Sequence, residues 1–243
     1  MALEGNMKRL VLELVAALRE MYGENLLSVS VYGEAVSEGA APGMPPKMLV
    51  VLGAIGTEDL GRYAGIHAKW QKKGIAPPLM MTRGDLDTSA DVFPMEFLEM
   101  KDSYQLLYGY DAIAHLEVKL SNLRLQLEEQ VKGKLIHLRL GYMEAGGDRK
   151  ALTHLIASSV ERFAEVMKNA LRLIGRPAPP VKETAIREYC ALAGLDGGPF
   201  IEALKVRRGG LKPAKDELDS LFSRYMAQVA RLAECIDKLD GAV

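Results

Sequence analysis

Several stretches of this chain carry residues whose types and spacing could do chemistry. In the first, an apolar run from Leu26 to Tyr32 ends in Gly33, a turn-rich stretch follows, and a second apolar run spans Met48 to Leu52. That reads as strand, glycine turn, strand, and a turn of this kind between strands is a common place for a phosphate or metal site. The acids around it, Glu34, Glu38, Glu58 and Asp59, include no pair two residues apart at the opening of a strand. A second stretch, Glu128 to Arg139, carries Lys132, Lys134, His137 and Arg139 beside an apolar stripe; a solvated basic face is its ordinary use, and a phosphate contact its sharper one. A third, Arg149 to His154, sets an arginine five residues before a histidine, so that one could stabilise a phosphate and the other move a proton. A compact basic turn, Lys205 to Lys212, serves solubility or a weak anionic contact. The histidines His67, His115, His137 and His154 are scattered without the spacing of a zinc site.

The stretch Leu26 to Gly53, together with Pro78 to Gly109 and its FPMEF and LLYG segments, resembles the polymerase-beta-like nucleotidyltransferase superfamily. The signature of that superfamily is an apolar strand, Gly-Ser, a spacer, and two acids opening the next strand. The resemblance implies that Gly33 is the signature glycine, that Glu34 stands in place of the serine, and that the acids belong at Pro45 and Lys47. Alternate residues of a strand share a face, so two such carboxylates would hold two magnesium ions on a nucleoside triphosphate. The ions would stabilise the attacking and leaving oxygens of an in-line displacement. Proline supplies no ligand, and lysine adds positive charge to a site built for cations. The third carboxylate of the superfamily lies on a later strand, and Glu96 is its best match.

The resemblance therefore implies a degenerate active site with no metal or other cofactor, and a role in binding or assembly. Gly33 and Lys47, with Lys132 and Arg139 from the basic stretch, are the candidate ligand-binding residues. Lys47, turned into the cleft, is expected to pair with Glu96 or to hold an anion. Two rivals stand beside this reading. One is an active nucleotidyltransferase that modifies a small molecule or protein through acids placed elsewhere. The other rests on the Arg149–His154 spacing, which is similar to that of the HEPN-type helical ribonucleases of toxin-like pairs.

The elements that must position these residues follow from hydrophobic periodicity. A helix is expected over residues 7–21, then the two strands, with Gly39, Pro42, Gly43, Pro45 and Pro46 making their connection irregular. A helix capped by Thr57 follows to Lys73, then a short apolar segment at Leu79 to Thr82 and a polar turn-rich piece at Arg83 to Ala90. Strands are expected near Met95 to Leu98 and Gln105 to Tyr108. From Asp111 the pattern becomes helical: residues 111–143, then 148–174 with Asp148 as N-cap, shorter helices at 181–193 and 199–206, and a last one from Pro213 to Leu239. Leu116, Leu120, Leu123, Leu127 and Val131 form one stripe, and Gly133 is expected to mark a close helix approach.

The expected fold class is α+β: a small mixed sheet with helices over residues 1–110, followed by an all-helical bundle over 111–243. That order resembles the arrangement of the kanamycin nucleotidyltransferase family. Hydrophobic residues make up 49% and charged residues 26% of 243, an ordinary balance for a folded chain. A net charge of −1 gives no case for nucleic acid or a membrane surface, and the tyrosines do not interleave with basic residues as a stacking platform would. No leader and no spanning run is apparent, and Cys190 and Cys235 fall in helical patterns, so the chain is expected to be cytoplasmic and reduced. The partners expected are a nucleotide or another anionic small molecule, and, given the amphipathic bundle, a second copy of the chain.

Overall fold

The computed structural model describes residues 5–37 and 44–239; Glu38, Gly39, Pro42 and Gly43 lie outside them. The chain forms two compact units that divide between Lys119 and Leu120.

In the first unit, α1 (Gly5–Tyr22) buries Leu10, Leu14 and Leu18, spaced one helical turn apart, and stops at Gly23, whose φ of +51° suits glycine. Strand β1 (Leu26–Tyr32) and strand β2 (Lys47–Leu52) follow, then α2 (Thr57–Gln71) and β3 (Leu79–Thr82). Two short helices, α3 (Arg83–Ser89) and α4 (Pro94–Asp102), lead to β4 (Tyr104–Gly109). The sheet order is β3-β2-β1-β4, antiparallel except for the parallel β2–β3 pair that α2 connects. Every residue of β2 from Met48 to Leu52 is buried, because both faces of the sheet are covered. Val29, Val31, Met48, Val50 and Leu52 pack toward α1 and α2, against Leu14, Leu18 and Trp70. Leu49 and Val51 pack on the other face, against Leu86 of α3 and Phe97 and Met100 of α4.

Four expectations for this unit are overturned. The polar piece at Arg83 to Ala90 is helical, because Thr82 and Asp85 cap it reciprocally: the Asp85 N–H donates to Thr82 Oγ1 at 3.1 Å and the Thr82 N–H to Asp85 Oδ2 at 2.8 Å. The strand expected near Met95 to Leu98 is α4, opened by Pro94 in the first turn, where a missing N–H costs nothing. Residues 111–119 do not begin the long helix. Ala112, Ile113 and Leu116 instead join the core of the first unit beneath β2, and so the division falls nine residues later than residue 110. At the start of α2 the cap also differs: the Gly56 N–H is held by Asp59 Oδ2 at 2.9 Å, one residue before Thr57.

The second unit consists of α5 (Leu123–Ala145), α6 (Arg149–Leu173), α7 (Lys182–Ala193), α8 (Gly198–Arg207) and α9 (Lys215–Asp237). Asp148 caps α6, accepting the Ala151 N–H at 2.7 Å, as its position suggests. The core is aromatic: Phe163, Phe200 and Tyr225 meet edge to face at centroid separations of 5.4–6.4 Å, and the buried Tyr225 hydroxyl is satisfied by Ser159 at 3.0 Å. The apolar stripe of α5 begins at Leu123; Leu116 belongs to the other unit and Leu120 is partly exposed. A Cβ at Gly133 would meet no neighbouring element among the described residues within 4 Å, whereas one at Gly141 would lie 2.7 Å from Leu155, so Gly141 marks the close approach of α5 and α6.

Candidate functional site

The site is the mouth of the β1–β2 pair. β1 ends at Tyr32, and Gly33 turns the chain at φ +87° and ψ −163°, a conformation that a side chain makes costly. The Gly33 N–H donates to the Ser103 carbonyl at 2.9 Å, and its own carbonyl accepts from Val36 at 3.1 Å, closing a short turn over Glu34–Val36. Lys47 is the first residue of β2 and pairs with Tyr32. Its stem runs past Gly33, Cδ lying 3.8 Å from where a Cβ would stand there. Pro45 is exposed and lies two residues before the strand, in the irregular connection.

The Lys47 side chain is exposed, so the expectation of a buried ammonium needing a counter-ion does not hold. Its Nζ lies 6.0 Å from the centroid of the Tyr32 ring, at the edge of cation–π range. Register places Tyr104 of β4, Tyr32 of β1 and Lys47 of β2 side by side in one row across the sheet. The Tyr104 hydroxyl donates to Asp111 Oδ2 at 3.0 Å, and Asp111 Oδ1 also accepts the Ala114 N–H at 2.9 Å. Burial, followed by the charge of Glu99, raises the Tyr32 phenol above its ordinary value. Burial, followed by the Asp111 hydrogen bond, does the same for Tyr104, so both phenols keep their protons at neutral pH. Deeper on this face, Ser28 and Ser30 are buried, and their hydroxyls find no hydrogen-bond partner among the described residues.

Glu34 is exposed in the turn after Gly33. Glu96 lies in the first turn of α4 and not on a strand, which corrects its expected place as the carboxylate of a later strand. Neither Pro45 nor Lys47 offers a metal donor: Pro45 has no side-chain ligand atom, and the Lys47 ammonium is a cation that lies beside the Tyr32 ring. Among the described residues, no group of three or more His, Cys, Asp or Glu side chains is arranged to hold a metal ion.

In the second unit, Lys132 is held by Glu128 on its own helix and by Asp237 of α9 at 2.9 Å, which raises its pKa. Arg139 is exposed. Arg149 donates to the Pro213 carbonyl and so ties the start of α6 to the approach to α9. His154 is exposed and, five residues on, points about 140° away around the helix. In the basic turn, Arg207 pairs with Glu161 at 2.6 Å.

Sequence reasoning missed Tyr32 and Tyr104. The only signal was that each stands at a strand end, where alternation puts it on the face of Lys47. An open cavity of about 370 Å³ in the first unit, lined by Asp87, Asp91, His115 and Glu117 among others, also gave no sign in the sequence.

A mixed four-stranded sheet sandwiched by helices, followed by a helical unit, is an α+β fold. Among solved structures the chain is similar to spectinomycin adenyltransferase AAD(9) from Enterococcus faecialis, crystallised with ATP and spectinomycin. The TM-score is 0.59 at 13% identity, over 96% of this chain and 100% of that one. No family model and no curated protein sequence matches the chain. Among the described residues, no helix is long and apolar enough to cross a membrane.

Proposed function

We propose that this chain is a catalytically degenerate nucleotidyltransferase-fold protein that binds a nucleotide or another anionic small molecule without transferring a nucleotidyl group. The observation that carries the reading is Lys47 as the first residue of β2, beside Gly33 and in register with Tyr32. A metal pair on two acids gives the in-line displacement its charge stabilisation. A single ammonium on a flexible stem can attract a phosphate but cannot organise attacking and leaving oxygens. Exposure leaves the Lys47 ammonium reachable by a ligand, and the Tyr32 ring beside it offers an aromatic face. The likeness to a protein crystallised with ATP supports a nucleotide as the ligand class. A reducing compartment suits the free cysteines, and burial pushes the Cys190 thiol up to about 12, which keeps it protonated and inert. Calorimetry with ATP on the native protein and on Lys47→Ala tests the reading. The expected result is binding that weakens about tenfold, or about 1.4 kcal/mol, in the variant. Equal affinities, or no binding by either protein, would remove it.

A further inference from the structure

The outer face of α5 is unusual for a helix of a folded unit. Leu127, Val131, Leu135 and Leu138 turn inward, yet Leu125, Ile136, Leu140 and Met143 are 66%, 54%, 45% and 67% exposed. At 100° per residue these four fall within about 60° of one another around the helix axis, and they span about 27 Å along it. Together they make an apolar patch on the order of 400 Å², a size that often has a partner.

We propose that this face pairs with the same face of a second copy of the chain, antiparallel about a twofold axis that crosses the patch at the height of residue 134 along the helix. The charges on the stripe decide the orientation. Glu129 and Arg139 flank the apolar residues, both are exposed, and among the described residues neither belongs to an ion pair within its own chain. In a parallel pairing each residue meets its own copy, so Glu129 faces Glu129 and Arg139 faces Arg139. In the antiparallel pairing, residue n faces residue 268 − n. Glu129 then meets Arg139 of the second copy twice by symmetry, Leu125 meets Met143, and the Lys132 stem covers Ile136. Lys132 is already neutralised by Glu128 and Asp237, so its ammonium can stay at the rim.

Doubled across the axis, the patch with its charged flanks reaches about 1,000 Å², the lower end of specific interfaces, so the dimer is expected to be weak and concentration-dependent. The inference rests on the second unit alone and stands apart from the reading of the Lys47 site.

Sedimentation velocity on the full chain, from about 1 to about 500 µM, tests it. A reversible monomer–dimer equilibrium is expected. Arg139→Glu should weaken the dimer about tenfold or more by setting like charges opposite each other, and Ile136→Asp should abolish it. The double exchange Glu129→Arg with Arg139→Glu restores the pairs in reversed order and should bring the dimer back. All the altered residues are exposed, and circular dichroism on each variant checks that the helices remain. A monomer over the whole range, a dimer indifferent to Arg139→Glu or Ile136→Asp, or a double variant that fails to recover would each overturn the proposal.

Discussion

Val29 and Val31 point from β1 into an apolar layer beneath α1 and α2, whereas Ser28, Ser30 and Tyr32 bring three hydroxyls to the layer beneath α3 and α4. The first face does what a sheet face in a core normally does, and every side chain on it gains from burial. On the second face, two serine hydroxyls are buried with no hydrogen-bond partner among the described residues, and each costs roughly 1–3 kcal/mol relative to a satisfied one. That face also carries Lys47 at its mouth. Stability alone would favour alanine or valine at Ser28 and Ser30, so the difference separates a face kept for packing from one that tolerates a penalty. The tolerated penalty lies on the face that carries Tyr32, Tyr104 and Lys47.

Substitutions can break or sharpen this contrast. The largest effect is expected at Gly109, the last residue of β4, which pairs with Ser28 of β1. A Cβ there would stand 1.9 Å from the Leu27 carbonyl oxygen, at φ +75°, so Gly109→Ala should cost about 3 kcal/mol or more in urea unfolding. Next is Val50→Ala on the packing face, with an expected loss of about 2 kcal/mol because the fully buried site cannot refill. Gly33→Ala should cost about 1–2 kcal/mol through its positive φ; the nearest atom, 3.8 Å away on the lysine stem, adds no clash. Ser30→Ala should have the opposite sign and stabilise the protein by up to about 1 kcal/mol, since it removes an orphaned hydroxyl and leaves only a small void. If Ser30→Ala destabilised the protein as Val50→Ala does, the two faces would obey one rule and the contrast would fail.

Much of this was legible in the residues. The apolar run to Tyr32, the glycine and the second run gave β1, the turn and β2, because both strands read as continuous buried runs bounded by turn residues. In the helical unit, Asp148 and the leucine spacing of α5 were clear local signals. Failures came where local signals competed. The polar run Arg83 to Ala90 suggested turns, yet Thr82 and Asp85 three apart are a capping box; Met95 to Leu98 suggested a strand, yet Pro94 opens a helix. Ala112, Ile113 and Leu116 have helical spacing but are taken up by the neighbouring core, a tertiary outcome that periodicity cannot express. Glu96 was misplaced for the same reason as its helix. The row of Tyr104, Tyr32 and Lys47 depends on strand register, which no single strand reveals.

The most direct test of the central claim is pyrophosphate release by the purified full chain with each nucleoside triphosphate under Mg²⁺ or Mn²⁺. With proline and lysine at the positions proposed for the two acids, release should not rise above that of a heat-denatured control. Metal-dependent release by the native protein that persists in Lys47→Ala would contradict the account, because it would place the working acids elsewhere in the chain.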